Sequence, residues 1–338
     1  MKAAVFYGDH SIKLENGYPT PSIRDNEVLI RVKACGVCGT DLHIYAGAQG
    51  ATDCNPPVIL GHEISGIAEA VGERVTRVKP GDHVTVNPNI FCEACAFCRS
   101  GKPHLCDTMK ATGVNFDGGF AQYCKVLEKQ VYRVRDEIQF PVAAMSEPLS
   151  CCLHGIDLLG LQAGGTVMVI GGGTIGMIML QLAVLSGASK TVLLEINEAR
   201  FPLARKLGAD VVINPQRNDA GAVLADNGIR NIDAVIECAG HPTSVQDAIR
   251  YAGRGGKVML FGLTEPGCSV PFYPFAAFQK ELTILSSFVN PDTQERAVGL
   301  INAGKLRLEE LIGERISLDE IQKAFAPGPR NGKTIVLP

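Results

Sequence analysis

The chain has 338 residues, enough for about two domains, with 46% hydrophobic and 20% charged residues. A formal net charge of -3 with no long basic block argues against nucleic acid or an anionic membrane as the main partner. The N-terminus, MKAAVFYGDH, lacks the apolar run and cleavage site of a secretory signal, and no stretch approaches the roughly 18 apolar residues of a membrane span, so a cytoplasmic protein is expected.

Residues 1–90 read as short strands separated by turns. EVLIRVKACGV, VILGHEISGIAEAVG and GDHVTV are apolar and β-rich, with Gly and Pro between them, which predicts an all-β barrel or roll. Residues 91–108 form a cysteine-rich loop. From residue 165, apolar strands alternate with helical segments: TVMVI then MIMLQLAVLSG, TVLLE then NEARFPLARKLG, followed by DVVI, DAVIE and KVMLFG. That rhythm predicts βαβ units and a parallel sheet. Past residue 288 the alternation fades. TQERAVGLINAGKL and SLDEIQKAFA have the spacing of amphipathic helices, and KTIVLP that of a closing strand. There is no internal repeat and no low-complexity tract.

Twelve cysteines are many for a long chain without a signal peptide, which argues against a disulfide framework. Four of them, Cys92, Cys95, Cys98 and Cys106, are spaced C-x2-C-x2-C-x7-C. Four thiolates this close can close a tetrahedral shell around zinc and leave no position for chemistry. An iron–sulfur cluster is the rival reading. A nucleic-acid-binding zinc ribbon is another, supported only by Arg99, Lys102 and His104.

A second constellation lies upstream, where Cys35-Gly36-Val37-Cys38-Gly39-Thr40-Asp41-Leu42-His43 is followed by Gly61-His62-Glu63. A thiolate and an imidazole suit zinc, and a shell with only two or three protein ligands keeps a position open for catalysis. The alternatives are a redox pair of Cys35 and Cys38, which lacks an activating helix N-terminus on this reading, or plain core cysteines and a satisfied buried histidine.

Strand TVMVI runs into Gly171-Gly172-Gly173-Thr174-Ile175-Gly176 and then a helix. Gly171 permits the tight turn, Gly173 lets a pyrophosphate approach the backbone, and Gly176 lets the helix pack on the sheet, with the phosphates at the helix N-terminus. The next strand ends at Glu195, 19 residues past Gly176. A carboxylate there accepts from ribose hydroxyls and repels a 2′-phosphate, which favours NAD over NADP. Arg200 either meets the adenosine end or is a solvated helix charge.

Gly61-His62-Glu63-x2-Gly66-x5-Gly72-x2-Val75 matches the zinc alcohol dehydrogenase signature without a gap. With the four-cysteine loop and the glycine-rich turn in that order, the whole chain resembles the zinc-containing medium-chain dehydrogenases, most of all the polyol (sorbitol-type) and threonine dehydrogenase branch. The resemblance implies an α/β protein: a GroES-like β domain at residues 1–148, an inserted Rossmann doubly wound parallel-sheet domain at 149–287, and a C-terminal return at 288–338. It implies two zinc ions per chain, one structural and one catalytic. Cys38 and His62 become catalytic zinc ligands. Glu63 is a direct or exchangeable ligand, and Glu147, in Ser146-Glu147-Pro148, reaches the metal directly or through its bound water. Asp41 orients the histidine or caps a helix. Thr40 and His43 form a proton relay, His43 alternatively being a surface histidine. Gly262 and Leu263, after the fifth sheet strand, and Ser286 to Phe288, after the sixth, flank the nicotinamide; plain core is their alternative.

The implied function is reversible NAD-linked oxidation of a secondary hydroxyl of a small polyol, phosphorylated or not. An L-threonine 3-dehydrogenase or another secondary alcohol dehydrogenase is the alternative, and a crystallin-like dinucleotide-binding protein or zinc-free quinone reductase the outlying one. Sorbitol dehydrogenases carry an Arg-Tyr pair where this chain has Val289-Asn290, so sorbitol itself is disfavoured. Asn290 and Tyr45 are then candidates to bond a substrate hydroxyl. A homo-oligomer, dimer or tetramer, is expected from the family.

Overall fold

The stretch Glu27–Gly36 alternates buried and half-buried side chains along its middle, the two-residue period of a strand with one face in a core. The computed structural model describes residues 1–48, 50, 52–328 and 330–338. The chain divides into two units, Met1–Ser150 with Val289–Pro338, and Cys151–Phe288.

In the first unit the chain forms β1 (Ala3–Phe6), β2 (Ile12–Glu15), β3 (Glu27–Gly36), α1 (Gly39–Tyr45), β4 (Val58–Ile59), β5 (Glu63–Val71), β6 (His83–Val86) and β7 (Asn89–Ile90). Then come α2 (Ala96–Arg99), β8 (Lys110–Ala111), β9 (Tyr123–Leu127), β10 (Val131–Arg133), α3 (Phe140–Ala144) and the start of α4 (Ser146–Leu159). Strands β2-β1-β4 make one small sheet. A larger one runs β10-β6-β5-β3-β18-β17, with β9 also on β3; β17 (Ile312–Ser317) and β18 (Lys333–Leu337) come from the C-terminal segment. Fully buried Ile30, Ile59, Leu60, Ile64 and Phe120 form the centre of its core. The predicted β roll is therefore present, and KTIVLP is its closing strand. The short helix α1 answers to one of the two readings of Asp41, that it caps a helix.

Two registers in this sheet bring distant segments together. Gly36 on β3 stands opposite Glu63 on β5. On its other side Gly36 stands opposite Ile335 on β18. The C-terminal strand thus lies beside the strand pair that carries Cys35, Cys38 and Glu63.

The second unit holds β11 (Thr166–Ile170), α5 (Thr174–Leu185), β12 (Lys190–Leu194), α6 (Phe201–Lys206), β13 (Val211–Ile213), α7 (Ala220–Asp226), β14 (Ala234–Glu237), α8 (Pro242–Tyr251), β15 (Lys257–Leu260), α9 (Pro274–Lys280) and β16 (Thr283–Ser286). Its six strands are all parallel, in the order β13-β12-β11-β14-β15-β16. The strand order reverses between β11 and β14, and ligands of such sheets bind at the carboxyl ends of the strands at that switch point. Helix α5 is apolar nearly all round, and Gly176 to Ala183 are all buried. The C-terminal segment adds α10 (Gln294–Asn302) and α11 (Ile321–Phe325), both within the stretches whose spacing predicts helices. Among the described residues no helix is long and apolar enough to cross a membrane.

The packing of α5 on β11 depends on Gly176, where a Cβ would meet the carbonyl oxygen of Gly171 at 1.8 Å. A backbone oxygen that close cannot swing aside, which sets the overpacking cost at the upper part of its range, about 2–3 kcal/mol. An alanine returns about 1 kcal/mol as a helix former. Gly176→Ala is therefore expected to lower stability by about 1–2 kcal/mol, read from the urea midpoint. A midpoint at or above that of the parent chain would contradict the close approach.

Candidate metal centre and cofactor turn

Strand β3 delivers Cys38 to the start of α1, where it is the residue that caps the helix. Asp41, in the first turn, accepts the Cys38 backbone N–H at 2.8 Å and that of Gly61 at 3.3 Å. Its Oδ1 lies 3.5 Å from His62 Nδ1, which leaves Nε2 for a metal. Asp41 therefore caps the helix, and the same carboxylate stands at ion-pair distance from His62 Nδ1, which itself makes no hydrogen bond. Gly61, at φ +91°, has Phe120 and Cys35 packed where a Cβ would stand, and it turns His62 and Glu63 into the site.

Cys38 Sγ, a ring nitrogen of His62 and a carboxylate oxygen of Glu63 all lie within 4.8 Å of one another. Glu63 is fully buried, and its Oε2 has no hydrogen-bond partner. Thiolate, imidazole and carboxylate suit zinc, and a cation relieves the cost of a buried, unpartnered carboxylate oxygen. Burial disfavours the charged form of His62. Asp41 and Cys38 outweigh it and hold the imidazole well above its usual pKa, so a basic nitrogen faces the site. Protons and metal compete for that nitrogen.

The structure adds a residue that the sequence did not point to. Lys333, the first residue of β18, is buried and donates to Glu63 Oε1. Burial works against its ammonium, but Glu63, then Cys38 and Glu147, more than offset it and hold Lys333 above the usual lysine range. A Cβ on Gly36 would stand 1.9 Å from Glu63 Oε2 and 3.0 Å from Lys333 Cε, so a glycine is required where the pair crosses β3. Glu147 is buried in the first turn of α4. It does not belong to the three-residue donor group, and its charge acts on the site through Lys333.

Thr40 Oγ1 lies 3.7 Å from Cys38 Sγ. His43 follows three residues later on α1, so the two half-buried side chains share a helix face. One expectation is corrected. Asn290 has no solvent exposure, and its amide is committed to Asn89, Ser150 and Gln294, so it has no group left for a substrate. Tyr45 packs its ring on Phe325, with centroids 4.7 Å apart, and against His10. A second correction concerns Cys38, which does sit at a helix N-terminus. Cys35, however, is fully buried, and all twelve cysteines are free thiols.

The four sulfurs of Cys92, Cys95, Cys98 and Cys106 also lie within 4.8 Å of one another. Backbone N–H groups of Ala94 and Cys95 lower the Cys92 thiol to about 6, whereas desolvation and the neighbouring thiols push Cys98 up to about 12. Such a conflict is what a shared divalent cation resolves.

In the second unit the glycine-rich turn has the expected construction. Gly171 adopts φ +97° against Ala239. Nothing lies within 4 Å of a Cβ placed on Gly173, which caps α5, so the backbone there is open to a ligand. Thr174 and Ile175 begin the helix, half-buried. Glu195 is buried beneath the turn: its Oε2 accepts from Gly172 N–H at 2.6 Å and Arg200 Nη1 at 3.1 Å, its Oε1 from Asn197 N–H at 2.7 Å. Arg200 is thus paired to Glu195. Gly262 and Leu263 follow β15 and touch the Gly240 turn, and Leu263 is 70% exposed, which plain core does not explain. Ser286 and Phe288 are exposed at the end of β16. Glu237, unnoticed in the sequence, ties the turn after β14 by accepting from Ala239 N–H, Gly240 N–H and Ser244 Oγ.

Residues 24–136 match the alcohol dehydrogenase GroES-like domain, and residues 174–303 match the zinc-binding dehydrogenase domain. D-arabinitol dehydrogenase 1 of Uromyces fabae is 34% identical over 309 residues, covering 90% of this chain and 87% of its own. L-threonine 3-dehydrogenase of Bacillus velezensis is 34% identical over 340 residues, covering 97% and 98%. A solved structure described as a zinc-binding dehydrogenase from Sinorhizobium meliloti 1021, bound to NADP, superposes with a TM-score of 0.95 at 37% identity, covering 100% of this chain and 99% of that one. The chain belongs to the zinc-containing medium-chain alcohol dehydrogenase family, in its polyol and threonine dehydrogenase branch. It is an alcohol dehydrogenase that works with zinc, a nicotinamide cofactor and a small-molecule alcohol.

The buried pair makes a direct prediction. Lys333→Met leaves Glu63 buried and unpaired, and breaking such a pair costs about 3–5 kcal/mol. In chelator-treated protein K333M is expected to lose that much stability in denaturant, and the double variant E63Q/K333M to regain most of it. Equal stability of K333M and the parent chain would contradict the pairing.

Proposed function

We propose that the protein oxidises a secondary hydroxyl of a small polyol to the ketone, reversibly, with NAD. The observation that carries the reading is the grouping of Cys38, His62 and the partly unsatisfied Glu63 in one buried place. Cys38 and His62 are the ligands of the catalytic zinc, with Glu63 or Glu147 as an exchangeable carboxylate. Cys92, Cys95, Cys98 and Cys106 hold a second, structural zinc. When bound, the catalytic zinc lowers the pKa of a coordinated hydroxyl and the nicotinamide accepts the hydride.

The chain's own groups do the rest. Asp41 fixes the ring of His62 so that one nitrogen is presented. Lys333 shares the charge of Glu63, which lets that carboxylate stay buried or release a ligand position. Thr40 takes the proton of the ionising hydroxyl, and His43, on the same face of α1 and half exposed, passes it towards solvent. Gly171, Gly173 and Gly176 with the N-terminus of α5 receive the pyrophosphate, and Glu195 the ribose hydroxyls. Gly262, Leu263, Ser286 and Phe288 border the nicotinamide end.

Two second readings have specific support. The similarity to L-threonine 3-dehydrogenase supports threonine as substrate. Arg200 beside Glu195, with the NADP held by the S. meliloti protein, supports NADP. A panel of pentitols, hexitols and L-threonine, run with each cofactor at the nicotinamide absorbance, separates them. The proposal expects the highest kcat/KM for a polyol with NAD. It also expects Cys38→Ser and His62→Ala to lower kcat at least 10³-fold; activity surviving either change contradicts the zinc mechanism.

The chain also carries a surface for a second copy. Strand β16 is a sheet edge whose apolar Ile284 and Leu285 are not buried. Helix α9, which precedes it in the chain, buries no residue, and Phe275 and Phe278 are 70% and 78% exposed. An unpaired apolar edge is a liability unless covered, and a twofold copy covers it with itself. A homodimer is therefore expected by light scattering, with Ile284→Lys shifting it towards the 36.0 kDa chain. A monomeric parent protein contradicts this.

A further inference from the structure

Asn290 follows the last strand of the parallel sheet, and its amide is wholly buried. Its Oδ1 accepts from Asn89, and its Nδ2 donates to Ser150 Oγ at 2.5 Å and Gln294 Oε1 at 3.5 Å. Ser150 Oγ donates in turn to the carbonyl of Glu147 at 2.7 Å, and the Ser150 carbonyl accepts from Thr293 Oγ1 at 2.7 Å. Four residues earlier, Ser146 Oγ accepts from Gln294 Nε2 at 2.9 Å and donates to Thr85 Oγ1 at 2.7 Å, whose own proton goes to the Ile64 carbonyl at 2.8 Å. Donors and acceptors alternate without conflict along the whole chain of bonds. Fully satisfied buried networks of this kind specify one arrangement.

The two ends of the network are informative. One is Ile64, the neighbour of Glu63 on β5. The other is the carbonyl of Glu147. The first turn of α4 is therefore clamped on two sides, through Ser146 and through Ser150. The segment that supplies the clamp is itself forced. Val289 and Asp292, on either side of Asn290, adopt φ +46° and +51°. A β-branched residue rarely takes that conformation, and it persists only where its surroundings over-determine it.

We propose that Asn290 is a positioning residue: through Ser150 it fixes the first turn of α4 and so holds the Glu147 carboxylate in register with the metal centre on β5. The inference rests on the reading of Glu147 as a carboxylate of that centre. It gives the position a role in place of the substrate contact, because the amide is spent inside the protein. Asn290 acts on the metal through backbone placement and never touches substrate.

The test replaces zinc by cobalt(II) in the full chain and reads the d–d absorption and the cobalt affinity; the four-cysteine loop adds the same background to every variant. Glu147→Gln is expected to shift the bands and weaken binding. Ser150→Ala and Asn290→Ala are expected to shift them in the same direction and weaken cobalt binding about tenfold, the usual scale for a partner that orients a ligand. Ser150→Thr, which keeps the hydroxyl, is expected to restore the parent spectrum. If E147Q leaves the spectrum unchanged, the reading of Glu147 fails and the inference with it. If E147Q shifts it while folded S150A does not, the inference alone is overturned. Should N290A fail to fold, S150A decides.

Discussion

Glu63 is a carboxylate with no contact with solvent, and the first unit is arranged around the need to compensate it. A buried charge is tolerated only when it is paired. Half of that requirement is met by Lys333, which arrives from the far end of the chain because β18 closes the sheet beside β3. Gly36 leaves the gap in which the two meet. The other oxygen is left without a partner, and Cys38 and His62 stand next to the same carboxylate. The sheet therefore builds an electrostatic deficit that a bound cation would fill.

The two clusters of potential ligands differ in their donor sets. The four-cysteine loop offers four sulfurs and no other donor type, which suits a closed shell. The other cluster mixes donor types and keeps its carboxylate shared with a lysine, so its shell has room to change. In the second unit the cofactor turn follows a parallel logic of open space: glycines crowd the backbone everywhere except at Gly173. Glu195 lies under that turn with its oxygens engaged by Gly172, Asn197 and Arg200, which holds the carboxylate rigid.

Much of this was legible from local sequence because local physics sets it. Cysteine spacing, the Gly171–Gly176 turn and the apolar strands from residue 165 each act over a few residues. Cys38 and His62 lie far apart in sequence and were legible only through the resemblance carried by Gly61 to Val75, and the fold brings them together with Glu63. The contacts between distant segments were not. Lys333 looks like an ordinary charge at the start of KTIVLP, and nothing local says that its partner stands 270 residues away. Asn290 suggests a substrate contact because the resemblance sets Val289-Asn290 where sorbitol dehydrogenases carry an Arg-Tyr pair, whereas its partners come from β7 and α4. The helix α1 is only weakly signalled, because Cys38-Gly39-Thr40 carries glycine where a helix is weak, and the capping by Asp41 outweighs that propensity.

The central claim is that the buried site of Cys38, His62 and Glu63 holds a metal of its own, distinct from the one in the cysteine loop. Diffraction from crystals of the active protein, recorded on both sides of the zinc absorption edge, tests it directly. The account predicts two anomalous peaks per chain: one enclosed by Cys92, Cys95, Cys98 and Cys106, and one bonded to Cys38 Sγ and His62 with a position not taken by protein. A single peak, confined to the cysteine loop of a fully active enzyme, would contradict it.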